Sequence, residues 1–205
     1  APRPGERRAV WDHHAVGLYP GDWNRTAREL ARAGVTDVFL DVLWPGFAHF
    51  EAPGAATSDA FREFGDQLDA AARAGKAHGI DVHAWKICWR LDRAGEERIG
   101  ALGREGRLIE SVDGATKPWM CPTDPRNRRE ELEAVVHAAT RPGVAGVHLD
   151  YIRFPDPRAC YCDGCRKRFG AQTGQPTAPW PAVVRAAPGQ DAFRRWRAES
   201  IDGFV

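Results

Sequence analysis

Apolar residues recur along the chain with two periods, one typical of strands and one typical of helices. Short runs in which every second residue is apolar predict strands with one buried face. In the clearest run, Val147 and Leu149 alternate with His148 and Asp150. The predicted strands are 8–13, 38–42, 80–88 and a fourth that begins at 146 and ends at Asp150.

Apolar residues at helical spacing fill the segments between these strands. A glycine follows two of the predicted helices, and a proline stands at the first position of the third, as is common at helix ends. The helices are predicted from Asp22 or Asn24 to Gly34, from Ser58 to about His78, and from Asp124-Pro125 to about Ala139.

The resulting order of elements, βαβαβαβ, predicts parallel strands, because each helix is about long enough to cross back over a sheet. The predicted fold class is α/β, of the (β/α)8 TIM-barrel type. Such a barrel needs about 250 residues. The chain has 205, so we expect about the first four βα units, a partial barrel. The stretch from about 90 to 122 is expected to be irregular, and 193–205 to begin the fourth helix.

The predicted domain organisation is simple. Residues 1–7, polar and rich in proline, are interpreted as an N-terminal linker. Residues 8–205 are interpreted as a single barrel domain, truncated at its C-terminal side. A half-barrel that dimerises is the alternative.

Composition excludes several partners. With 43% hydrophobic and 28% charged residues, the chain has the make-up of a soluble globular protein. Its net charge of +1 gives no field that would recruit nucleic acid or an anionic membrane. No apolar run approaches the roughly 20 residues that span a bilayer. Eight Trp residues suit the faces of sugars, but Trp also fills cores, so the count alone decides little.

Polar and aromatic residues gather at the predicted carboxyl ends of the strands, where TIM-barrel active sites lie. Pleating turns them toward one face and the aliphatic residues toward the helices. Each taken singly has a structural alternative; Asp150, for example, is also placed to cap the next turn and pair with Arg153. The candidate site residues are Trp11, His13, His14, Asp41, His83, Trp85, Lys86, Asp150, Tyr151 and Arg153.

The cysteines suggest a metal site. Cys160, Cys162 and Cys165 form a C-x-C-x-x-C motif that lets three thiolates converge on one ion. Structural Zn²⁺ takes four ligands, and Cys121, before the third helix, is expected at the same end of the barrel. Four thiolates leave no open position, so the predicted zinc ion is structural and no catalytic cofactor is expected.

Two alternatives to this zinc site remain. The chain has five cysteines, the fifth being Cys88 in the third strand, so disulfides are a rival explanation. A nucleic-acid-binding zinc ribbon is another. It lacks support, because a ribbon has paired C-x-x-C knuckles and the basic run at 166–168 is short.

Four motifs together are similar to a known family, the glycosyl-hydrolase-like 10 group of bacterial TIM-barrel proteins, over about residues 8 to 170. The resemblance implies a glycoside hydrolase, and some members act on peptidoglycan glycan strands. It also implies a secreted or cell-envelope protein of a bacterium. The motifs are Trp11-Asp12-His13-His14, Val82-His83-Ala84-Trp85, Cys121-Pro122-Thr123-Asp124-Pro125 and His148-Leu149-Asp150-Tyr151-Ile152-Arg153-Phe154-Pro155.

The cysteines carry a second resemblance, to the four-cysteine structural zinc site of family 42 β-galactosidases. It implies Cys121, Cys160, Cys162 and Cys165 as the ligands. That family has an Asn-Glu pair after its fourth strand, which this chain lacks. Asp150 is instead similar to the nucleophile position of the α-amylase superfamily, in which an Arg stands where this chain has His148.

Three functional hypotheses follow. A glycoside hydrolase acting on a polysaccharide or glycan strand would use Asp150 as nucleophile or general acid. Its second carboxyl group would be Asp41 or a residue on later strands, and the other candidate residues would hold the sugar. The alternatives are a non-catalytic carbohydrate-binding barrel and a metal-dependent hydrolase that uses His13, His14 and His83.

Overall fold

The computed structural model describes residues 5–205. They form two compact units. The first contains the chain up to Cys88 together with Leu132–Asp150, and the second contains Trp89–Glu131 and Tyr151–Val205. The sequence predicts one domain after a linker at 1–7, and residues 1–4 of that linker lie outside the described residues. The predicted strands belong to the first unit and the four clustered cysteines to the second.

Strands and helices alternate through most of the described chain. None of the helices in residues 5–205 is both long and apolar enough to cross a membrane. The elements are β1 (Ala9–Asp12), α1 (Trp23–Arg32), β2 (Asp37–Trp44), β3 (Phe47–Ala48), β4 (Ala56–Thr57), α2 (Asp59–Phe64), α3 (Gln67–His78), β5 (Asp81–Ile87), α4 (Glu96–Arg104), β6 (Leu108–Glu110), β7 (Thr116–Met120), α5 (Pro125–Ala139), β8 (Val144–Asp150), α6 (Asp163–Thr173), a 3₁₀ turn (Ala182–Val184) and α7 (Gly189–Asp202).

The mixed α/β fold with a mostly parallel sheet is confirmed. The predicted strands correspond to β1, β2, β5 and β8, which pair in parallel in chain order. β3 adds an antiparallel partner at the end of β2. Within residues 5–205, β1 pairs only with β2 and β8 only with β5. The sheet is therefore open, and the partial barrel stays a prediction.

The register of strand pairing determines which side chains are neighbours across the sheet. Trp11, Phe39 and His83 are Cα partners across β1, β2 and β5. Nearer the carboxyl ends, Asp41 is paired with Trp85, and Trp85 with His148.

One predicted helix is wrong in its extent. The segment from Ser58 to His78 forms two helices, because Gly65 adopts φ 77° and ψ −162° between them. The Ser58 side chain caps α2 by accepting from the Phe61 N–H, and Asp66 caps α3 in the same way. A second cap immediately after a glycine starts a new helix rather than extending the old one.

The stretch predicted to be irregular is partly ordered. It contains α4 and the antiparallel pair β6 and β7. Leu102 is the one buried residue of α4, and no side chain caps the helix at Gly95. Apolar periodicity is therefore too weak here to reveal the helix from sequence.

The core of the first unit lies between the sheet and its helices. Val38, Leu40 and Val42 of β2 are buried together with Leu68 of α3. Gly75 allows α3 to approach the chain closely, since a Cβ there would lie 2.6 Å from the Ile80 carbonyl oxygen. This packing leaves the opposite face of the sheet to polar and aromatic side chains.

An ion-pair network lies at the amino end of β2 and β5. Arg7 Nε donates to the Asp37 carboxylate at 2.8 Å. Arg7 Nη2 donates both to the Asp37 carboxylate and, at 2.6 Å, to the Asp81 carboxylate. Thr36 Oγ1 and His83 Nε2 contact the same Asp37 carboxylate at 2.6 and 3.0 Å. The Arg7 contact, more than any other, holds the pKa of Asp37 below its usual value.

We expect Asp37→Asn to lower the free energy of unfolding by about 2 kcal/mol at neutral pH, because charged hydrogen bonds are lost. Because the pKa of Asp37 in the folded state lies below its unfolded-state value of about 3.9, the carboxylate stabilises the fold at every pH above about 3.9. This stabilisation disappears as the pH falls through the folded-state pKa. Urea unfolding followed by Trp fluorescence should therefore show a difference in unfolding free energy between wild type and Asp37→Asn that becomes smaller at acidic pH.

Asp81→Asn is the matched control, because Asp81 bonds the same arginine from a side chain that is 52% exposed. We expect its effect to stay within about 0.5 kcal/mol. Equal losses for the two variants, or a deficit for Asp37→Asn that does not change with pH, would contradict this account.

Candidate functional site

A row of aromatic and imidazole rings covers one face of the parallel sheet. The Phe39 ring stacks on Trp11 at a centroid distance of 5.0 Å and on His83 at 4.5 Å. The His148 ring meets Phe39 edge-on at 5.2 Å and Trp85 at 5.8 Å. Strand parity therefore brings together rings that are far apart in sequence. Phe39 has the same inward parity as the predicted site residues but was not among them.

Asp150 lies at the carboxyl end of this row. Its Oδ2 accepts a hydrogen bond from the Trp85 indole Nε1 at 3.2 Å. The His13 ring packs edge-on against the same indole at 4.7 Å. Asp41 has the parity of Phe39, is paired with Trp85 in the sheet and is 5% exposed. The structure thus brings Asp150 and Asp41 to the two sides of Trp85.

Three other predicted residues lie away from this centre. His83 lies nearer the amino end of its strand, where its Nε2 is hydrogen-bonded to Asp37. Gly146 leaves space for the His83 ring, since a Cβ at Gly146 would lie 3.1 Å from His83 Nδ1. His14 is exposed in a loop that the Asp12 carboxylate holds by accepting backbone N–H groups. Lys86 alternates with Trp85 and is 0% exposed, with Nζ donating to the Ile87 carbonyl at 2.7 Å. Its position does not support the predicted substrate contact.

Tyr151 and Arg153 belong to the second unit, where Tyr151 is held between two arginines. Arg90 Nη1 donates to the Tyr151 hydroxyl at 2.8 Å. The guanidinium carbons of Arg90 and Arg153 lie 4.9 and 5.0 Å from the centre of the Tyr151 ring. Trp119 packs against the same ring at 5.7 Å. Arg90 and Trp119 are contacts that sequence reasoning did not include, because they come from the stretch expected to be irregular.

The four clustered cysteines converge in the second unit. All are buried, and the sulfur atoms of Cys121, Cys160, Cys162 and Cys165 all lie within 4.8 Å of one another. The Cys121–Cys165 and Cys121–Cys162 sulfur distances are 3.5 and 3.9 Å. Four thiolates around a tetrahedral Zn²⁺ would be separated by about 3.8 Å, given Zn–S bonds of about 2.3 Å. The donor set therefore fits a divalent metal ion of that size.

Disulfides do not explain the cluster. None of the five cysteines forms a disulfide, which would require sulfur atoms about 2.05 Å apart. Within residues 5–205, the four cysteines are also the one group of three or more His, Cys, Asp or Glu side chains that could hold an ion. The hypothesis of a catalytic metal on His13, His14 and His83 therefore gains no support from the geometry.

Each sulfur has a polar neighbour. Backbone N–H groups of Glu110 and Cys165 donate to the sulfurs of Cys160 and Cys162, both at 3.4 Å. Cys162 is the N-cap of α6, and its sulfur accepts the Cys165 N–H in that role. Thr123 Oγ1 lies 3.2 Å from the Cys121 sulfur and 3.3 Å from the Cys165 sulfur.

The close approach of the sulfurs shifts the pKa values of three of the four cysteines. Hydrogen bonds from Cys160, Cys162 and Cys165 hold the pKa of Cys121 well below its usual value. Burial raises the pKa of Cys160, and the contact with Cys121 raises that of Cys165. A divalent cation bound by the four sulfurs would favour their thiolate form.

Comparison with solved structures identifies the fold. The catalytic domain of β-amylase from Paenibacillus polymyxa superimposes with a TM-score of 0.62 at 11% identity, covering 100% of this chain and 62% of that one. A β-galactosidase from Marinomonas ef1 gives 0.57 at 14% identity, covering 82% of this chain and 26% of that one. A hypothetical protein from Ruminiclostridium thermocellum gives 0.54 at 14% identity, with 96% and 92% covered.

These likenesses, at 11–14% identity, show the fold that this chain shares with them, an α/β fold with a mostly parallel sheet. The chain spans about a quarter of the β-galactosidase and less than two thirds of the β-amylase domain. The sequence matches no protein-family model and no curated protein.

We expect the protein to bind one Zn²⁺ or Co²⁺ ion through the four thiolates. The Co²⁺ form should show thiolate-to-metal charge transfer and the intense visible bands of a tetrahedral site. Cys160→Ser should abolish stoichiometric binding after dialysis, because a tetrahedral thiolate site loses one of its four ligands.

The control is Cys88→Ala, which removes the buried cysteine that is not in the cluster. Its metal content should equal that of the wild type. A wild type without metal, or the same metal content in the two variants, would contradict the assignment.

Proposed function

We propose that the protein is a glycoside hydrolase of the TIM-barrel type, with about the first four βα units of a barrel, acting on a polysaccharide or cell-wall glycan strand. A secreted or cell-envelope location in a bacterium belongs to the same proposal. The observation that carries it is the hydrogen bond from the Trp85 indole to Asp150, on a face lined by aromatic rings. That arrangement joins a stacking surface for a sugar to a carboxylate at the carboxyl ends of parallel strands.

Two carboxyl groups are what glycoside hydrolysis needs. Asp41 on β2 is the Cα partner of Trp85 on β5, and Trp85 is the Cα partner of His148 on β8. Asp150 follows His148 by two residues on β8. Strand spacing and rise then put the two Cα atoms roughly 12 Å apart on one face. Side chains that lean toward each other across such a gap approach the roughly 6.5–9.5 Å separation of inverting enzymes. At that separation Asp150 is proposed as the general acid and Asp41 as the general base that activates water. The other role predicted for Asp150, the nucleophile of a retaining enzyme, would require a partner carboxyl group about 5–5.5 Å away.

Trp11 supplies the best platform for a sugar ring. It is 50% exposed while one side of its indole is stacked on Phe39. A large aromatic side chain held flat in this way offers apolar surface without further loss of side-chain freedom. Sugar hydroxyl groups would then bind to His13 and Asp150 near Trp85. Tyr151 and Arg153, in the second unit, are proposed separately as sugar-binding residues of that unit.

The metal centre in this proposal is a structural zinc site. Four cysteine ligands fill a tetrahedron and leave no position for water or substrate. The ion would connect Cys121, four residues before the start of α5, to the segment 160–165 at the start of α6. Its contribution is therefore the stability of the second unit.

Burial of Asp41 favours a second candidate function, glycan binding without cleavage. At 5% exposure, this carboxylate has little access to a water molecule or a glycosidic oxygen. Asp150 would then act as a hydrogen-bond acceptor for sugar hydroxyls. The two functions share the aromatic face and differ only in turnover.

Activity on soluble peptidoglycan fragments and other oligosaccharides distinguishes these functions. We expect Asp150→Asn to lower turnover by about 10²–10⁴-fold, the usual contribution of a general acid or base. Glycan binding should persist, because the amide keeps the shape of the carboxylate and accepts hydrogen bonds through its oxygen.

Asp81→Asn, at the exposed opposite end of β5, is the control and should keep wild-type turnover. Wild-type turnover in Asp150→Asn would remove this residue from the mechanism. Glycan binding by the wild type with no cleavage would favour the second function.

A separate prediction concerns Trp11. We expect Trp11→Ala to weaken glycan binding by up to about tenfold, because an aromatic stacking contact contributes up to about 1.5 kcal/mol. Isothermal titration calorimetry measures the change. Leu18→Ala, at a 62% exposed apolar residue of the following loop, should have no effect. Equal weakening by the two substitutions would show that Trp11 is not a specific platform.

A further inference from the structure

The basic residues that follow Cys165 have different partners. Arg166 donates to Asp163 through Nε at 2.9 Å, and Lys167 Nζ lies 2.6 Å from the same carboxylate. Arg168 instead turns inward and donates to Thr123 Oγ1 through Nε at 3.2 Å and Nη2 at 3.0 Å. Its Nη2 also lies 3.8 Å from the Cys121 sulfur.

This geometry fixes the direction of the Thr123 hydroxyl. A hydroxyl has one hydrogen and two acceptor lone pairs, whereas a guanidinium only donates. The two Arg168 donors occupy the lone pairs of Thr123 Oγ1. The hydroxyl hydrogen is therefore left for the sulfurs of Cys121 and Cys165, at 3.2 and 3.3 Å. Thr123 donates and the sulfurs accept, which is the arrangement that stabilises thiolates.

Gly164 leaves the space that the guanidinium uses. A Cβ on Gly164 would lie 2.6 Å from Arg168 Nη2 and 3.0 Å from Nη1. The residue directly before Cys165 is thus small where the arginine head group passes. Since the contact is with the end of a flexible side chain, a methyl group there would displace the arginine at little cost to the backbone.

We propose that Arg168 and Thr123 are positioning residues of the metal centre, which set its affinity without ligating the ion. This inference rests on the proposed zinc site. Four thiolates and one divalent ion leave two negative charges in a buried cluster, and such charge is costly unless neighbouring donors neutralise it. Arg168 supplies one positive charge, and it directs the Thr123 hydroxyl to two of the four sulfurs. Outer-shell partners of this kind typically contribute 10–100-fold to metal affinity.

The test is metal affinity and the spectrum of the Co²⁺ form in matched variants of the full chain. We expect Thr123→Val and Arg168→Met to weaken Zn²⁺ binding about 10–100-fold in competition with a chromophoric chelator. Thr123→Ser, which keeps the hydroxyl, should restore most of the affinity. Gly164→Ala should weaken binding in the same direction although every ligand and donor is retained.

A spectroscopic readout separates this role from a general loss of stability. Removing a hydrogen bond from a thiolate raises the energy of its lone pairs, so thiolate-to-cobalt charge transfer should move to longer wavelength in Thr123→Val. Arg166→Met, which removes the neighbouring arginine, should leave affinity and spectrum unchanged. If Thr123→Val does not fold, Arg168→Met and Gly164→Ala still decide the question.

The outcomes are distinct. A wild type that binds no metal would overturn the zinc site and this inference with it. A wild type with a four-thiolate spectrum whose Thr123→Val and Arg168→Met variants match it in affinity and spectrum would overturn the inference alone. Neither result depends on whether the protein cleaves glycans.

Discussion

The parallel pairing of β2 with β5, and of β5 with β8, is the interaction on which the chemistry of the sheet depends. It places Phe39 level with His83, and Asp41 level with Trp85 and His148. A slip of one residue in either pair would exchange the two faces of a strand. The rings would then meet the helices and the aliphatic core would meet solvent. Register thus determines both the packing of the first unit and the composition of its polar face.

A second constraint, the cost of buried charge, governs the cysteine cluster. The four sulfurs are buried, and hydrogen-bond donors come from the backbone, from Thr123 and from Arg168. These donors come from segments far apart in sequence, so the fold must form before the thiolates are stabilised. A metal ion and the fold of the second unit therefore support each other.

Sequence alone predicts much of this arrangement. The four strands follow from apolar alternation, and the convergence of Cys121 with the later three cysteines follows from motif spacing and helix order. Strand parity also contains information that the predictions did not use. Trp85 and Lys86 are consecutive in β5, so they cannot both face the aromatic side. Gly65 and Asp66 likewise indicate the break between α2 and α3, because the glycine ends α2 and the aspartate caps α3.

Other contacts depend on tertiary structure and leave no local pattern. The bond between His83 and Asp37 spans 46 positions, and that between Arg168 and Thr123 spans 45. Arg90 and Trp119 contact Tyr151 from a stretch whose helix α4 has one buried residue and no side-chain cap to mark it. The choice of partner for each arginine, in a chain with many of them, is settled only by packing.

The central claim is that glycans bind to the aromatic face of the parallel sheet beside Asp150. The most direct measurement is the change in indole N–H resonances of ¹⁵N-Trp-labelled protein during titration with a soluble peptidoglycan glycan fragment. The account predicts saturable shifts for Trp11 and Trp85, and none for Trp23, whose Nε1 is bonded to Gln67 within the core. Shifts confined to tryptophans outside that face, or no shifts at saturating glycan, would contradict it.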